Sequence, residues 1–193
     1  MNQLIKPLFF LFALFVLSSC EEAFTPKPLG YHRIDFPKKE YLKYQGSCPF
    51  EFDYPFRSFL DTNLKGKPSC WLNLHYPQYS STIHFTYNSI TRNELKTYIE
   101  DSRKLAMKHL VKANHIEEEF IQNNETNVYG VYYDFGGSTA TNFQFFVTDS
   151  NNHFLRGAMY FNLPPNPDSL EPVAIFIKED LKRLLNSFEW KAE

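Results

Sequence analysis

The chain has 193 residues, with 20 Lys plus Arg against 22 Asp plus Glu and a net charge of −2. That length suits one domain with appendages, the charge balance excludes a strongly basic nucleic-acid binder, and 43% hydrophobic with 22% charged residues excludes a disordered chain. Aromatic residues reach 18% while Gly numbers only 7, so a sheet with an aromatic core is expected and a glycine-loop nucleotide enzyme is not.

Residues 1–19 read as a lipoprotein signal peptide. Lys6 is the only charge before residue 20, and Leu8 to Leu17 is an unbroken apolar run. The run is too short for a bilayer span, which needs about 20 residues. It ends in Leu17-Ser18-Ser19-Cys20, an apolar residue, two small ones and a cysteine, which is the pattern of a bacterial lipobox. Small residues admit the chain to a narrow peptidase site, and the Cys20 thiol takes a diacylglycerol. Two or more acyl chains give stable anchoring where one does not. A covalent lipid on Cys20 is the one attached group expected; no cofactor is. Residues 20–30, with Glu21-Glu22 and two prolines, read as a tether.

Residues 31–193 read as a single globular domain. Tyr31 to Phe36 reads as a first strand. Cys48 to Tyr54 and Cys70 to Tyr76 follow, and alternate residues Phe50, Phe52, Tyr54 and Leu72, Leu74, Tyr76 put each cysteine on the apolar face of its strand. In an exported protein a Cys48–Cys70 disulfide is reasonable, and a loop of that length would gain about 3 kcal/mol from it. Two buried free thiols are the alternative. Pro77 to Ser81 is a turn, and Thr82 to Tyr87 alternates Ile83, Phe85 and Tyr87 inward with Thr82, His84 and Thr86 outward.

Thr91-Arg92-Asn93-Glu94 has the form of a capping box. It opens a helix whose stripe is Leu95, Tyr98, Ile99, Ser102, Leu105, Ala106, His109 and Leu110. His115 to Gln122, Val128 to Phe135, Thr141 to Thr148 and His153 to Phe161 read as an antiparallel meander, with Gly136-Gly137 and Ser150-Asn151-Asn152 as turns. Pro164, Pro165 and Pro167 precede a last helix capped by Asp168, with Val173, Phe176, Ile177, Leu181, Leu184, Leu185 and Phe188 as its apolar face. Together these elements predict an α+β fold, mainly antiparallel sheet packed by two helices. Their order resembles the PsbP/Mog1-like α/β/α sandwich, a likeness of fold that carries no function.

No catalytic or metal constellation emerges. There is no G-x-S-x-G elbow, no CxxC or HxxxH spacing, and Gly136-Gly137-Ser138 lacks the lysine of a phosphate loop. His75 and His84 share the outer face of one hairpin but have no third ligand beside them. His109 falls at the boundary of its helix stripe. Glu117-Glu118-Glu119 reads as a solvated run, and Asp134 and Asp149 as turn residues. Trp71, His75, Tyr79 and His84 form a candidate interaction patch on the outer hairpin face, unless they pack beneath a helix.

One family accounts for the motifs jointly. Pro26-Lys27-Pro28 and Gly30-Tyr31 with Arg33 follow the lipobox, then come Cys48-Pro49-Phe50 and Cys70-Trp71-Leu72-Asn73-Leu74-His75-Tyr76-Pro77. Val128-Tyr129-Gly130, Gln144-Phe145, Thr148-Asp149-Ser150, His153-Phe154-Leu155-Arg156-Gly157 and Ser187-Phe188-Glu189-Trp190-Lys191 complete the series. In order and spacing they resemble the gliding motility-associated lipoprotein GldD family, from the lipobox to the last helix. The resemblance implies a cell-envelope lipoprotein needed for gliding, anchored in the outer membrane on either its periplasmic or its surface side. It implies partnership with other gliding-motility lipoproteins and the type IX secretion system, and no nucleic acid. It supplies no catalytic residue, so a non-enzymatic assembly or stability factor is expected, with a lipoprotein that binds a small ligand, lipid or glycan as the alternative. Only Cys20 transfers by motif. Asp168-Ser169-Leu170 also resembles an O-glycosylation tripeptide of envelope proteins from gliding bacteria, although a helix cap explains Asp168 as well.

Overall fold

The computed structural model describes residues 33–164 and 166–191. The signal peptide, Cys20 and the tether over residues 20–30 lie outside the described residues. In chain order the elements are β1 (Tyr41–Tyr44), β2 (Phe50–Pro55), β3 (Phe59–Asp61), β4 (Leu72–Tyr76), β5 (Ser81–Ser89), α1 (Leu95–Met107), β6 (Ala113–Asn123), β7 (Val128–Gly137), β8 (Phe143–Thr148), β9 (His153–Phe161), α2 (Pro167–Asn186) and β10 (Glu189–Trp190). Among the described residues the fold is α+β, antiparallel in every strand pair and carrying two α-helices.

The strands form two sheets. A three-stranded sheet has the order β1-β2-β10, and a seven-stranded sheet has the order β3-β4-β5-β9-β8-β7-β6. The inner face of the large sheet packs on α2 and on the small sheet. Leu72, Leu74, Ile83, Phe85, Phe145, Val147, Leu155 and Met159 form one core cluster with Phe50 and Phe52 of β2 and Val173, Ile177, Leu181 and Leu184 of α2. Phe52 stacks with both Phe85 and Phe188, so the aromatic excess fills the space between the sheets. Gly157 makes room for this packing, since a Cβ there would lie 2.2 Å from the Phe145 ring.

Helix α1 covers part of the outer face. Leu95, Tyr98 and Ile99 pack on Ile90, Phe146 and Phe154, and Met107 with Ala106 packs on Tyr133 and Phe135. Strand β8 therefore has a helix on each side, and all six of its residues are buried. This is why its sequence reads as a near-continuous apolar run rather than an alternation.

The disulfide is present between Cys48 and Cys70, whose Cα atoms are 5.5 Å apart. Cys48 precedes β2 and Cys70 precedes β4, so the bond ties the small sheet to the large one.

Several expectations need correction. The described part of the expected first strand, Arg33 to Phe36, is not a strand, and the first strand is β1. Short β1, β3 and β10 span four, three and two residues. None is long enough to show a period in sequence. Gly136 and Gly137 end β7 opposite His115 and Ala113 rather than forming a turn; Gly137 takes φ +95°, and the turn lies over residues 138–142. Helix α1 stops at Met107 and a 3₁₀ turn follows over Lys108–Val111, which leaves Leu110 of the expected stripe exposed; Leu105, inside the helix, is exposed as well. The capping box is one-sided: the Glu94 carboxylate accepts the Thr91 N–H and hydroxyl, and Thr91 offers no cap in return. Helix α2 starts at Pro167 with Asn166 at its N-cap, so Asp168 falls inside the first turn.

Candidate functional site

Charged chemistry in the interior is concentrated where residues 36–41 cross α2. The Phe36 ring stacks on Phe176 at 4.5 Å, and Tyr79 meets the same ring edge-on at 5.6 Å. Beyond this aromatic clasp, the Lys39 ammonium donates to the Phe176 carbonyl at 2.6 Å and to Asp180 Oδ1 at 2.8 Å. The Tyr41 hydroxyl donates to the same carboxylate oxygen at 2.9 Å. Asp180 is 2% exposed. Burial raises its carboxyl above the ordinary carboxylate range, against the pull of the Lys39 and Tyr41 contacts. Burial, with the hydrogen bond to Asp180, likewise raises the Tyr41 phenol. The Tyr76 hydroxyl lies buried without a hydrogen-bond partner and is raised by burial and by the Asp180 charge.

Pro37, Pro55, Tyr76, Tyr79, Phe176 and Asp180 are among the residues around a cavity of about 30 Å³, room for one or two water molecules. The arrangement has an ammonium and a phenol both donating to one buried carboxylate, with the Tyr41 phenol pushed up and so held protonated. Chemically it is a tie, fastening the segment before β1 to α2.

Sequence reading missed Lys39 and Asp180. A signal existed for Asp180: it interrupts the apolar stripe between Ile177 and Leu181 and lies one turn after Phe176. Lys39 gave no such signal, because its partner is 141 residues away.

The expected patch of Trp71, His75, Tyr79 and His84 is divided by the structure. His75 and His84 share the outer face, with His75 Nδ1 3.1 Å from Thr82 Oγ1 and His84 Nδ1 2.8 Å from Asn73 Oδ1. Phe59, 60% exposed, stacks on His75, and Tyr160 lies beside His84. Trp71 stands just before β4, donating its indole N–H to the Tyr87 carbonyl at 3.1 Å, with Lys67 over its ring. Tyr79 does not belong with them. The 3₁₀ turn Pro77–Tyr79, followed by Ser80 at φ 45°, breaks the two-residue alternation after β4 and sends Tyr79 into the aromatic clasp. Among the described residues no three His, Cys, Asp or Glu side chains cluster with metal-ligand geometry.

The remaining singled-out groups serve the fold. Asp149 accepts the backbone N–H groups of Asn151, Asn152 and His153; burial opposes these contacts but they prevail, holding its carboxyl below the usual range. Asp134, expected to serve a turn, instead pairs with Lys178 of α2. Glu118 lies 4.0 Å from Arg103 and Glu119 lies 3.5 Å from Lys182, both of them exposed pairs of little energetic weight. His109 is half-buried with its ring edge-on to Phe135, and burial and the nearby Arg156 lower its pKa.

Comparison with known proteins gives a family match and a fold likeness. The model of the family described as gliding motility lipoprotein GldD matches residues 21–190, which includes every strand and helix above. No curated protein matches the chain. Among solved structures, the chain is similar to the solution structure of cyanobacterial PsbP (CyanoP) from Synechocystis sp. PCC 6803, at 12% identity and TM-score 0.43, covering 84% of this chain and 99% of that one. A likeness of that degree carries no argument about function. Among the described residues no helix is long and apolar enough to cross a membrane.

Proposed function

The chain belongs to the gliding motility lipoprotein GldD family, and from that membership we propose that it is a non-enzymatic assembly or stability factor for the gliding and type IX secretion machinery. The observation that carries this reading is the family match itself, which covers the whole described fold and begins directly after Cys20. Cys20 is the acylated residue in this reading. The lipid confines the domain to the outer membrane and so raises its effective concentration for envelope partners, among them other gliding-motility lipoproteins. The Lys39–Asp180–Tyr41 tie supports the reading only as a fold element: it fastens the segment before β1 to α2. Of the expected patch, His84 is exposed on the outer face, with the exposed Phe59 on His75 beside it, and these are the groups available for contact in this reading.

The alternative, a lipoprotein that carries a small ligand, lipid or glycan, has less behind it. The cavity between α2, Tyr76 and the leading segment holds about 30 Å³, far below the roughly 300 Å³ at which small-molecule pockets begin. The grooves beside β6 that exceed that size, about 670 Å³ each, are lined largely by polar and charged side chains such as Asn114, Glu117, Asn123 and Lys182 rather than by the apolar ones such pockets favour.

The test is a clean deletion complemented by the wild-type chain or by Cys20→Ala. The assembly reading expects the deletion to abolish colony spreading and adhesin export, the wild type to restore both, and Cys20→Ala to leave the membrane fraction and fail to restore them. Normal spreading and export in the deletion strain would overturn it. Ligand-specific thermal shifts of the purified protein across envelope lipids and glycans would favour the alternative instead.

A further inference from the structure

The two ends of the seven-stranded sheet are finished differently. One end is β3, three residues long, and a short edge offers little to a passing chain. The other is β6, eleven residues long, which pairs only with β7 among the described residues. Its one register shift lies between Ala113 and His115, at the start of the strand. Residues 115–123 then run in regular register without a proline or lysine. Every second residue of such an edge directs its backbone N–H and C=O away from the sheet. Natural edges of this length are usually blunted by proline, charged side chains, a central bulge or a covering element; the regular part of β6 carries only charge, Glu117 to Glu119, which repels a neutral or acidic strand but not a basic one. Phe120, near its middle, is 85% exposed.

We propose that the open edge of β6 accepts an extended segment of a partner protein as an eighth strand, and that this segment is basic where it passes Glu117, Glu118 and Glu119. Charge selects the occupant. Glu117 and Glu119 point to the inner side with Ile121, while Glu118 points to the outer side with Ile116 and Phe120. An added strand would therefore meet carboxylates on both of its faces, with the exposed contacts of Glu118 to Arg103 and Glu119 to Lys182 giving way at little cost, and opposite charges directly across a strand pair are favourable. A second copy of this chain is disfavoured by the same rule. Antiparallel pairing of two β6 edges about a two-fold axis centred on the acidic run would set Glu117 to Glu119 against themselves. Phe120 calls for an aromatic or aliphatic residue next to the basic ones. On the inner side, α2 presents the exposed Ile175 and Lys182 beside open grooves along β6, so the inward side chains of an added strand have a wall to lie against. This is strand addition: main-chain bonds supply affinity and alternate side chains supply specificity. It extends the assembly-factor reading by stating how a partner is held. Because its test is made on the purified protein, it can fail while the deletion phenotype stands.

The experiment is hydrogen exchange on the full lipidated protein in detergent micelles, with an eight-residue peptide of alternating lysine and valine as the probe. The expected result is several-fold slower exchange confined to amides of residues 113–123. The slowing should disappear for the same peptide with every backbone nitrogen methylated, and for a glutamate–valine counterpart. Glu117→Lys with Glu118→Lys should reverse the charge preference; both side chains are exposed, and the wild-type peptide series stands even if that variant folds poorly. Equal protection by the methylated peptide would show adsorption by charge alone and overturn the proposal. No protection of β6, or protection arising from a dimer of the protein without peptide, would overturn it too.

Discussion

On its inner side the seven-stranded sheet is roofed by α2 and the three-stranded sheet, and Leu72, Leu74 and Leu155 are fully withdrawn from water. On its outer side α1 roofs only the part around Phe146, Phe154, Tyr133 and Phe135, while β4 and β5 turn Asn73, His75 and His84 outward, with His84 exposed. The same strands thus serve two ends through alternate residues. Each inward residue adds to stability, and each outward one on β4 and β5 contributes composition and hydrogen-bonding character instead. An aromatic count alone does not distinguish these roles. Phe52 and Phe59 stand seven residues apart in sequence, yet one is 0% and the other 60% exposed.

The difference between the faces is measurable. Phe52→Ala, which empties the junction between the sheets, is expected to cost about 3–5 kcal/mol in urea unfolding of the purified protein. His84→Ala on the outer face should stay within about 0.5 kcal/mol. Comparable losses would erase the distinction. Next in size is the disulfide, which ties the small sheet to the large one across a sequence separation of 22 residues. Reducing it should lower stability by about 3 kcal/mol by the chain-entropy relation, read as a lower melting temperature with reductant and no change in far-ultraviolet circular dichroism below the transition.

Lys39→Met isolates the tie between the leading segment and α2. It leaves the Asp180 carboxylate buried without its ammonium, at a cost of about 2 kcal/mol near neutral pH, below the figure for a fully buried pair because Lys39 retains some exposure. The pH dependence has a defined sign. The folded pKa of Asp180 is raised, so the folded protein binds this proton more tightly than the unfolded chain. Stability relative to Asp180→Asn therefore falls as pH rises from the ordinary carboxylate range to the raised value, and is flat above it. The Lys39→Met deficit should shrink as pH falls through that window, because a protonated Asp180 no longer needs the lysine. A deficit independent of pH would place the lost energy in the Lys39 ammonium's contacts with the Phe176 ring and carbonyl rather than in the ion pair.

A smaller effect than at the tie is expected at Arg156 and Gln144, on the outer face beside α1. Arg156 Nη2 donates to Gln144 Oε1 at 2.5 Å, while Arg156 Nε and Gln144 Nε2 are buried without partners. Replacing both, as Arg156→Met with Gln144→Leu, should change stability by about 1 kcal/mol or less in either direction, since donor and acceptor leave together. Arg156→Met alone should cost more than the pair, in a double-mutant cycle read by urea unfolding. A loss for the double variant as large as that for Phe52→Ala would make the outer face as stabilising as the inner one.

What could be read from sequence follows from the same physics. Long strands with strict alternation, such as β5, and helices with a sustained apolar stripe, such as α2, carry their period within themselves. The Cys48–Cys70 pairing was legible from the export signal and from the apolar strands the cysteines lead into, although both stand outside the expected strand register: Cys48 precedes Phe50–Pro55, and Cys70 lies in a turn at φ 65° before Leu72–Tyr76. Strands β1, β3 and β10 owe their existence to partners distant in the chain; β10 pairs with β2 across most of the sequence. The division of the strands into two sheets has no local signature for that reason. Tyr79 was misplaced because a 3₁₀ turn resets the alternation, and Gly136-Gly137 because paired glycines also serve where two strands crowd. A Cβ at Gly136 would lie 2.0 Å from the His115 ring.

The central claim is that this domain works by holding envelope partners rather than by acting on a substrate. Its most direct test is crosslinking of intact cells, followed by mild-detergent purification of the tagged lipidated protein and mass spectrometry. The account predicts gliding or type IX secretion components in stoichiometric amounts, with crosslinks leading to β6 and the outer face and not to residues buried between the sheets. Recovery of the protein alone, with no such components at comparable abundance, would contradict it.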